Sequence, residues 1–229
     1  VILAVNRSIM LTILVALVLA PVAILVGFDV VRTPADIFKW SSRIVTFLTC
    51  LTLLLNWAPA LRFVHWITLG RLWWFPWLGG EWRAEIRSNW PKIERLYEAA
   101  KGKGRRFDAL TEPITEADEK VTGADVRIKV GLFELEIEIV PDGTERCSTT
   151  DYVRPSWTKP ERPKLSYVYT QVDPLPVAPT DTRMHSGAGI VQVMSNGDLR
   201  GEYWTNRKGE NGLNTSGTII IRRVAKKTV

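Results

Sequence analysis

Two stretches near the N-terminus carry no charge, and they constrain the fold more than any other feature. Ser8 to Phe28 reads SIMLTILVALVLAPVAILVGF, and Ile44 to Leu61 reads IVTFLTCLTLLLNWAPAL. A hydrocarbon core about 30 Å thick is crossed by roughly 20 apolar helical residues, close to the length of each run. In lipid every backbone polar group must be paired within its own segment, so both runs predict helices. The alternative, two core helices of a soluble protein, would bury two charge-free runs in a chain of 229 residues, which small soluble domains rarely do. The connector Asp29–Arg43 is short and holds Pro34, so residues 1–62 read as an antiparallel transmembrane hairpin. The first run is too long for a secretory signal and lacks a small-residue cleavage site, so it is expected to persist as a mature helix. Pro21 predicts a mild kink, and Asn56 predicts a helix–helix hydrogen bond.

Behind the hairpin the composition changes. Of 30 Lys and Arg and 24 Asp and Glu, only four and two lie in the first 61 residues. The remainder has an ordinary soluble ratio, and about 150 residues suffice for one small domain. The net charge of +6 suits an anionic membrane surface or a small phosphate ligand. It is too diffuse to predict DNA or RNA as a partner. Cys50 and Cys147 lie far apart with no metal-ligand spacing around either, so neither a disulfide nor a metal is expected. Six of the ten Trp fall between Trp40 and Trp77, which marks residues 63–79 as an interfacial linker. Basic residues flank both sides of the hairpin. The domain's lack of secretory features therefore places both termini and the domain in the cytoplasm.

Residues 80–229 change to strand periodicity. Trp82, Ala84, Ile86, Ser88 and Trp90 alternate with Glu81, Arg83, Glu85, Arg87 and Asn89, a half-buried strand. Pro91 opens a short helix that glycines end, and the charged stretch Arg105–Gly123 reads as loop. Val126, Ile128 and Val130 keep one phase, then Phe133, Leu135, Ile137 and Ile139 keep the other. Either a two-residue hairpin at Gly131-Leu132 or a bulge in one long strand explains the slip; the bulge is favoured because a small barrel must bend its strands. Cys147–Val153, Leu165–Thr170 and Thr218–Val224 supply further strands. Ala188–Asn206 is a hairpin turning at Asn196-Gly197, the pair favoured in type I′ turns. That loop would pair Met194 with Leu199, Gln192 with Gly201 and Ile190 with Tyr203. Short antiparallel strands at near-even spacing predict a small antiparallel β-barrel or sandwich, and the barrel is the reading taken. The fold class is thus a membrane α-helical hairpin plus an all-β domain.

If Met194, Leu199 and Ile190 point inward, Gln192, Tyr203, Thr205 and Arg207 join them, giving an interior with a few hydrogen-bonding groups, as a ligand pocket needs. Trp82, Tyr167 and Tyr169 offer flat faces for a base, and Arg207 or Lys208 could meet a phosphate. No catalytic constellation is expected. Only His65 and His185 are available, and neither has a nucleophile with an orienting acid nearby.

The segments GEW (Gly80–Trp82), LSYVYT (Leu165–Thr170), MHSGAGIVQV (Met184–Val193) and DLRGEYWTNRKG (Asp198–Gly209) follow two apolar helices. In that order, and in Leu199-x-Gly201-x-Tyr203-x-Thr205-x-Arg207 with His185-x-Gly187 upstream, the chain resembles the two-transmembrane, β-strand-rich effectors of bacterial cyclic-oligonucleotide anti-phage systems. The resemblance implies that the barrel binds a cyclic di- or oligonucleotide made by a cGAS-like nucleotidyltransferase, with no other cofactor. Binding would drive homo-oligomerisation, with edge strands able to pair between protomers, and the helices would then breach the inner membrane. Arg105–Gly123 is longer and more charged than that family's pattern. Two rival expectations are a lipocalin-like carrier of an apolar ligand and a barrel scaffold of the NfeD type.

Overall fold

The structure, a computed structural model, describes residues 7–67, 75–103, 108, 110–112, 119–131, 134–156, 161–175, 182–207 and 209–224. It divides into two compact units, one formed by residues 1–77 with 130–134 and the other by residues 78–129 with 135–229.

In the first unit α1 spans Arg7–Gly27 and runs through Pro21, α2 spans Pro34–Asn56, and α3 spans Ala58–Ile67. The helix α2 starts ten residues before the second charge-free run. Its start is fixed by a capping box, in which the Thr33 hydroxyl accepts the Asp36 N–H while Asp36 accepts the Thr33 N–H, with Pro34 in the first turn; these contacts satisfy orphan donors. The run also does not end as one helix. The chain turns extended at Trp57, because Pro59 can neither donate to Leu55 nor clear its carbonyl. Among the described residues one helical segment, Pro34–Leu54, is long and apolar enough to cross a membrane, and Val15–Gly27 is a shorter apolar helix. Large apolar side chains stand open on both helices, including Leu19, Phe38, Phe47 and Leu53.

The second unit is a closed barrel of eight antiparallel strands, each hydrogen-bonded to its sequence neighbours. The strands are β1 (Gly80–Ser88), β2 (Lys120–Val130), β3 (Leu135–Pro141), β4 (Cys147–Ser156), β5 (Lys164–Val172), β6 (Met184–Val193), β7 (Leu199–Thr205) and β8 (Ser216–Arg223). The β1–β8 pairing closes the ring. Closure removes strand edges, so the expected pairing of edge strands between protomers is corrected: no edge strand is left in the ring. A short helix, α4 (Trp90–Ala100), follows β1, and Arg105–Gly123 is not all loop, since β2 begins at Lys120.

Two register expectations are overturned. The phase slip after Val130 is a hairpin between two strands, not a bulge. The Gly131 N–H donates to the Glu134 carbonyl (2.8 Å), and Lys129 meets Glu136 (2.8 Å), so the turn lies one residue beyond Gly131-Leu132. The tip residues 132–133 lie outside the described residues. The bend that a small barrel needs falls instead in β4, where the register with β5 shifts between Thr150 and Tyr152; the extra residue bends the strand.

The β6–β7 turn is the second. A type I′ turn needs positive φ at both central residues, yet of Asn196-Gly197 only Gly197 has one, φ 86°. The Asn196 side chain instead accepts the Asp198 N–H (3.1 Å), while the Gly197 N–H reaches the Met194 carbonyl (2.9 Å) and the Met194 N–H reaches that of Asp198 (2.7 Å). The loop is therefore three residues long, ending on a glycine in the left-handed region. Val193 pairs with Leu199 and Gln192 with Arg200. A one-residue slip turns a whole strand over, so Val191 and Val193 enter the core while Ile190, Gln192 and Met194 face outward.

Candidate ligand cavity at one end of the barrel

The barrel's two ends are built differently. At the end where the chain enters at Gly80, the interior is filled. Trp82, Val126, Ile128, Ile137, Val153, Leu165, Val191, Leu199 and Ile221 are each 4% exposed or less. Trp82 donates Nε1 to the Leu78 carbonyl (2.9 Å), and the Arg223 guanidinium lies 4.4 Å from its ring centre. Its expected role as a stacking face in the pocket is corrected: Trp82 plugs the packed end.

At the opposite end, where β1 finishes at Ser88, inward positions become polar and a cavity of about 450 Å³ opens. Its wall includes Tyr167, Tyr169 and Gln171 from β5, Tyr203 and Thr205 from β7, then Arg207, with Lys120, Arg146 and Trp90 at other strand and helix ends. Glycines make this wall. Gly189 faces Tyr167 on one side and Tyr203 on the other, and Gly187 faces Tyr169. A methyl group at Gly189 would lie 2.5 Å from the Tyr167 ring, and one at Gly187 2.3 Å from the Tyr169 ring. The missing side chains let the tyrosines lie across β6 rather than fill the cavity.

Hydrogen bonds set the rim. The Thr205 and Thr215 hydroxyls meet at 2.8 Å, the Thr205 N–H donates to the Thr215 carbonyl (2.8 Å), and the Asn206 N–H donates to the Ser186 carbonyl (2.8 Å). These bonds fix the chain that carries Arg207. Asn89 and Ser216 exchange both main-chain and side-chain bonds, which sets the start of α4 and places Trp90 at the mouth. Ser148 donates to Gln171 Oε1 (3.3 Å), so the two amide N–H groups of Gln171 remain its donor end.

The electrostatics favour an acceptor-rich, negatively charged guest. Lys120, Arg146 and Arg207 line the cavity with one lining acid, Asp142, which Arg83 holds from outside, while the buried Asp173 behind the wall pairs with Arg146. Burial pushes the hydroxyls of Tyr167 and Tyr169 well above the ordinary tyrosine range and raises that of Tyr203, which its bond to Ser88 and then Arg207 pull back, as Arg207 does for Tyr169. All three therefore stay protonated and can donate.

Of the residues expected to bind ligand, Tyr167, Tyr169, Tyr203, Thr205 and Arg207 come together here. Trp82 does not. Gln192 does not either, because the register shift puts it in a groove on the outer wall beside Ile190 and Trp204. Lys208 lies outside the described residues. Trp90, Lys120, Arg146 and Gln171 were missed. Gln171 continues the Leu165–Tyr169 phase by two residues and Lys120 precedes Thr122 by two, so both were readable once the strand limits were known. His185 is buried with Nδ1 3.4 Å from the Thr182 hydroxyl, and among the described residues no acidic, His and Cys cluster could hold a metal. No protein-family model matches the chain, and no curated protein matches it by sequence.

Proposed function

We propose that this chain is a membrane-anchored sensor whose barrel binds a cyclic di- or oligonucleotide in the cavity and whose N-terminal helices act on the bilayer. One observation carries the reading. A barrel filled solid at one end keeps a cavity at the other, and that cavity combines three neutral tyrosines with Lys120, Arg146 and Arg207. Its volume lies in the range of small-molecule sites. Aromatic rings offer stacking surface to bases, and guanidinium groups match phosphate oxygens in a two-point fork. A lipid carrier would be lined by apolar groups throughout, and a scaffold has no need of a polar void.

In this reading α1 and α2 form a hairpin across the inner membrane, with the barrel and both termini in the cytoplasm. The open apolar faces of both helices then meet lipid. Ligand shifts the protein toward an assembled, membrane-disrupting state only by binding that state better than the separate one. Because the barrel is closed, protomers associate through side-chain surfaces or helices. The nucleotide comes from a cGAS-like nucleotidyltransferase, and the protein performs no chemistry on it.

The test is a calorimetric titration of the full chain in detergent micelles with a panel of cyclic dinucleotides and trinucleotides, paired with dye release from liposomes holding the protein. Saturable binding of one member, and release only with that member, is the expected result. A folded protein that gives flat traces across the panel would refute the reading.

A further inference from the structure

Arg146 opens the β4 side of the cavity, and its carboxylate partner is itself buried. Its Nε lies 2.6 Å from Asp173 Oδ2, and Asp173 is 5% exposed. Asp173 is fixed in turn. Its N–H donates to the Arg183 carbonyl (2.8 Å), and its other carboxylate oxygen accepts the Leu175 N–H (3.2 Å). The β5–β6 connection therefore holds Asp173 by its main chain and by one carboxylate oxygen, and the other oxygen grips the edge of the guanidinium. The group is planar and carries five N–H donors in a rigid fork, so fixing Nε fixes the plane presented to the cavity.

A carboxylate beside an anion site is electrostatically unfavourable for the anion, and that contradiction is informative. We propose that Asp173 is a positioning residue that holds Arg146 as a phosphodiester clamp at the cavity mouth. The ligand's phosphates then sit at Arg146 and Arg207 and a base lies inward against Tyr167, Tyr169 and Tyr203. This rests on the reading that the cavity takes a cyclic nucleotide, and adds which way round the nucleotide enters and what orders its anion contact.

The decisive variant separates charge from position. Asp173→Asn removes a negative charge near the anion, so electrostatics alone predicts tighter binding. Loss of positioning predicts weaker binding although the site has become more positive. The experiment titrates the full chain in detergent micelles with cyclic di-AMP, cyclic di-GMP and the mixed cyclic dinucleotide, at low and high potassium chloride. Asp173→Asn is expected to weaken binding by about fivefold or more while leaving its salt dependence in place. Arg146→Ala is expected to weaken it by about tenfold or more, the loss of one charge-assisted contact, and to lessen its salt dependence. Arg146→Lys keeps the charge but not the fork, and is expected to bind at least about threefold more weakly.

Tighter binding by Asp173→Asn, or wild-type affinity in Arg146→Ala, would overturn the proposal. Near-UV circular dichroism checks each variant's fold. Should Asp173→Asn not fold, Arg146→Lys decides: wild-type affinity there overturns the clamp. A wild type that binds no member removes the cavity reading itself, a failure distinct from one in which the wild type binds and the variants do not differ.

Discussion

Glycine at position 189 is the place where wall geometry and stability can be separated. A Cβ there would lie 2.5 Å from both Cζ and the hydroxyl oxygen of Tyr167 and 3.0 Å from the Glu202 carbonyl oxygen. Tyr167 is 3% exposed and could withdraw only into the cavity it lines, and the Glu202 contact is backbone. Gly189→Ala therefore overpacks, at a cost of about 1–3 kcal/mol. For a barrel of this size that corresponds to a fall in Tm of roughly 3–10 °C. Tyr167→Ala alone leaves a hole, at a cost of about 3–5 kcal/mol by analogy with other aromatic truncations. The double variant should cost less than the two singles combined, because the new methyl group no longer meets a ring; a coupling of about 1–2 kcal/mol is expected for residues in direct contact. Thermal unfolding of the full chain in detergent, followed by near-UV circular dichroism, measures all three. Additivity within about 0.5 kcal/mol would refute the claim that the glycine exists to seat the tyrosine.

Other outcomes follow from the same geometry. Arg207→Ala should weaken cyclic nucleotide binding by roughly 10- to 100-fold, the range for a charge-assisted hydrogen bond; calorimetry checks it. Trp82→Phe should do the reverse, lowering Tm through the lost bond to Leu78 and lost volume while Kd stays within about twofold, since the ring lies outside the cavity. Gln192→Ala, on the outer wall, should change stability by no more than about 0.5 kcal/mol and leave Kd unaltered. The tyrosines also set an alkaline limit. Their folded pKa is raised, so their contribution is fully present below the unfolded value near 10 and is lost as pH rises above it; Tyr167 and Tyr169 together should remove up to about 3 kcal/mol of stability by pH 11. Between pH 6 and 9 neither ionises, and denaturant midpoints should show no tyrosine-linked slope.

The barrel was legible because half-buried strands announce themselves by alternation, as β1 and β5 do. The phase of β7 was also legible, so Tyr203 and Thr205 were placed correctly. The phase of β6 was not. Asn196-Gly197 is compatible with a two-residue or a three-residue loop, and the choice rests on whether the Asn196 side chain binds the Asp198 N–H, a contact that composition does not reveal. The same limit hid Arg146. Its place at the mouth depends on a partner 27 positions away, Asp173, whose burial no local pattern signals. Trp82 was misplaced for a different reason: period-two alternation says that a side chain points inward but not how far along the barrel axis it sits. The start of α2, by contrast, was written plainly in Thr33-Pro34-Ala35-Asp36, a capping signature outweighed by the charge-free run beyond it.

The central claim is that the polar end of the barrel, and no other part of the protein, receives an anionic cyclic nucleotide. A structure of the full chain determined with saturating cyclic dinucleotide tests it most directly. The account predicts ligand density bounded by Tyr169, Tyr203, Arg146 and Arg207. Density in the outer groove beside Trp204 and Gln192, with the interior cavity unchanged, would contradict it.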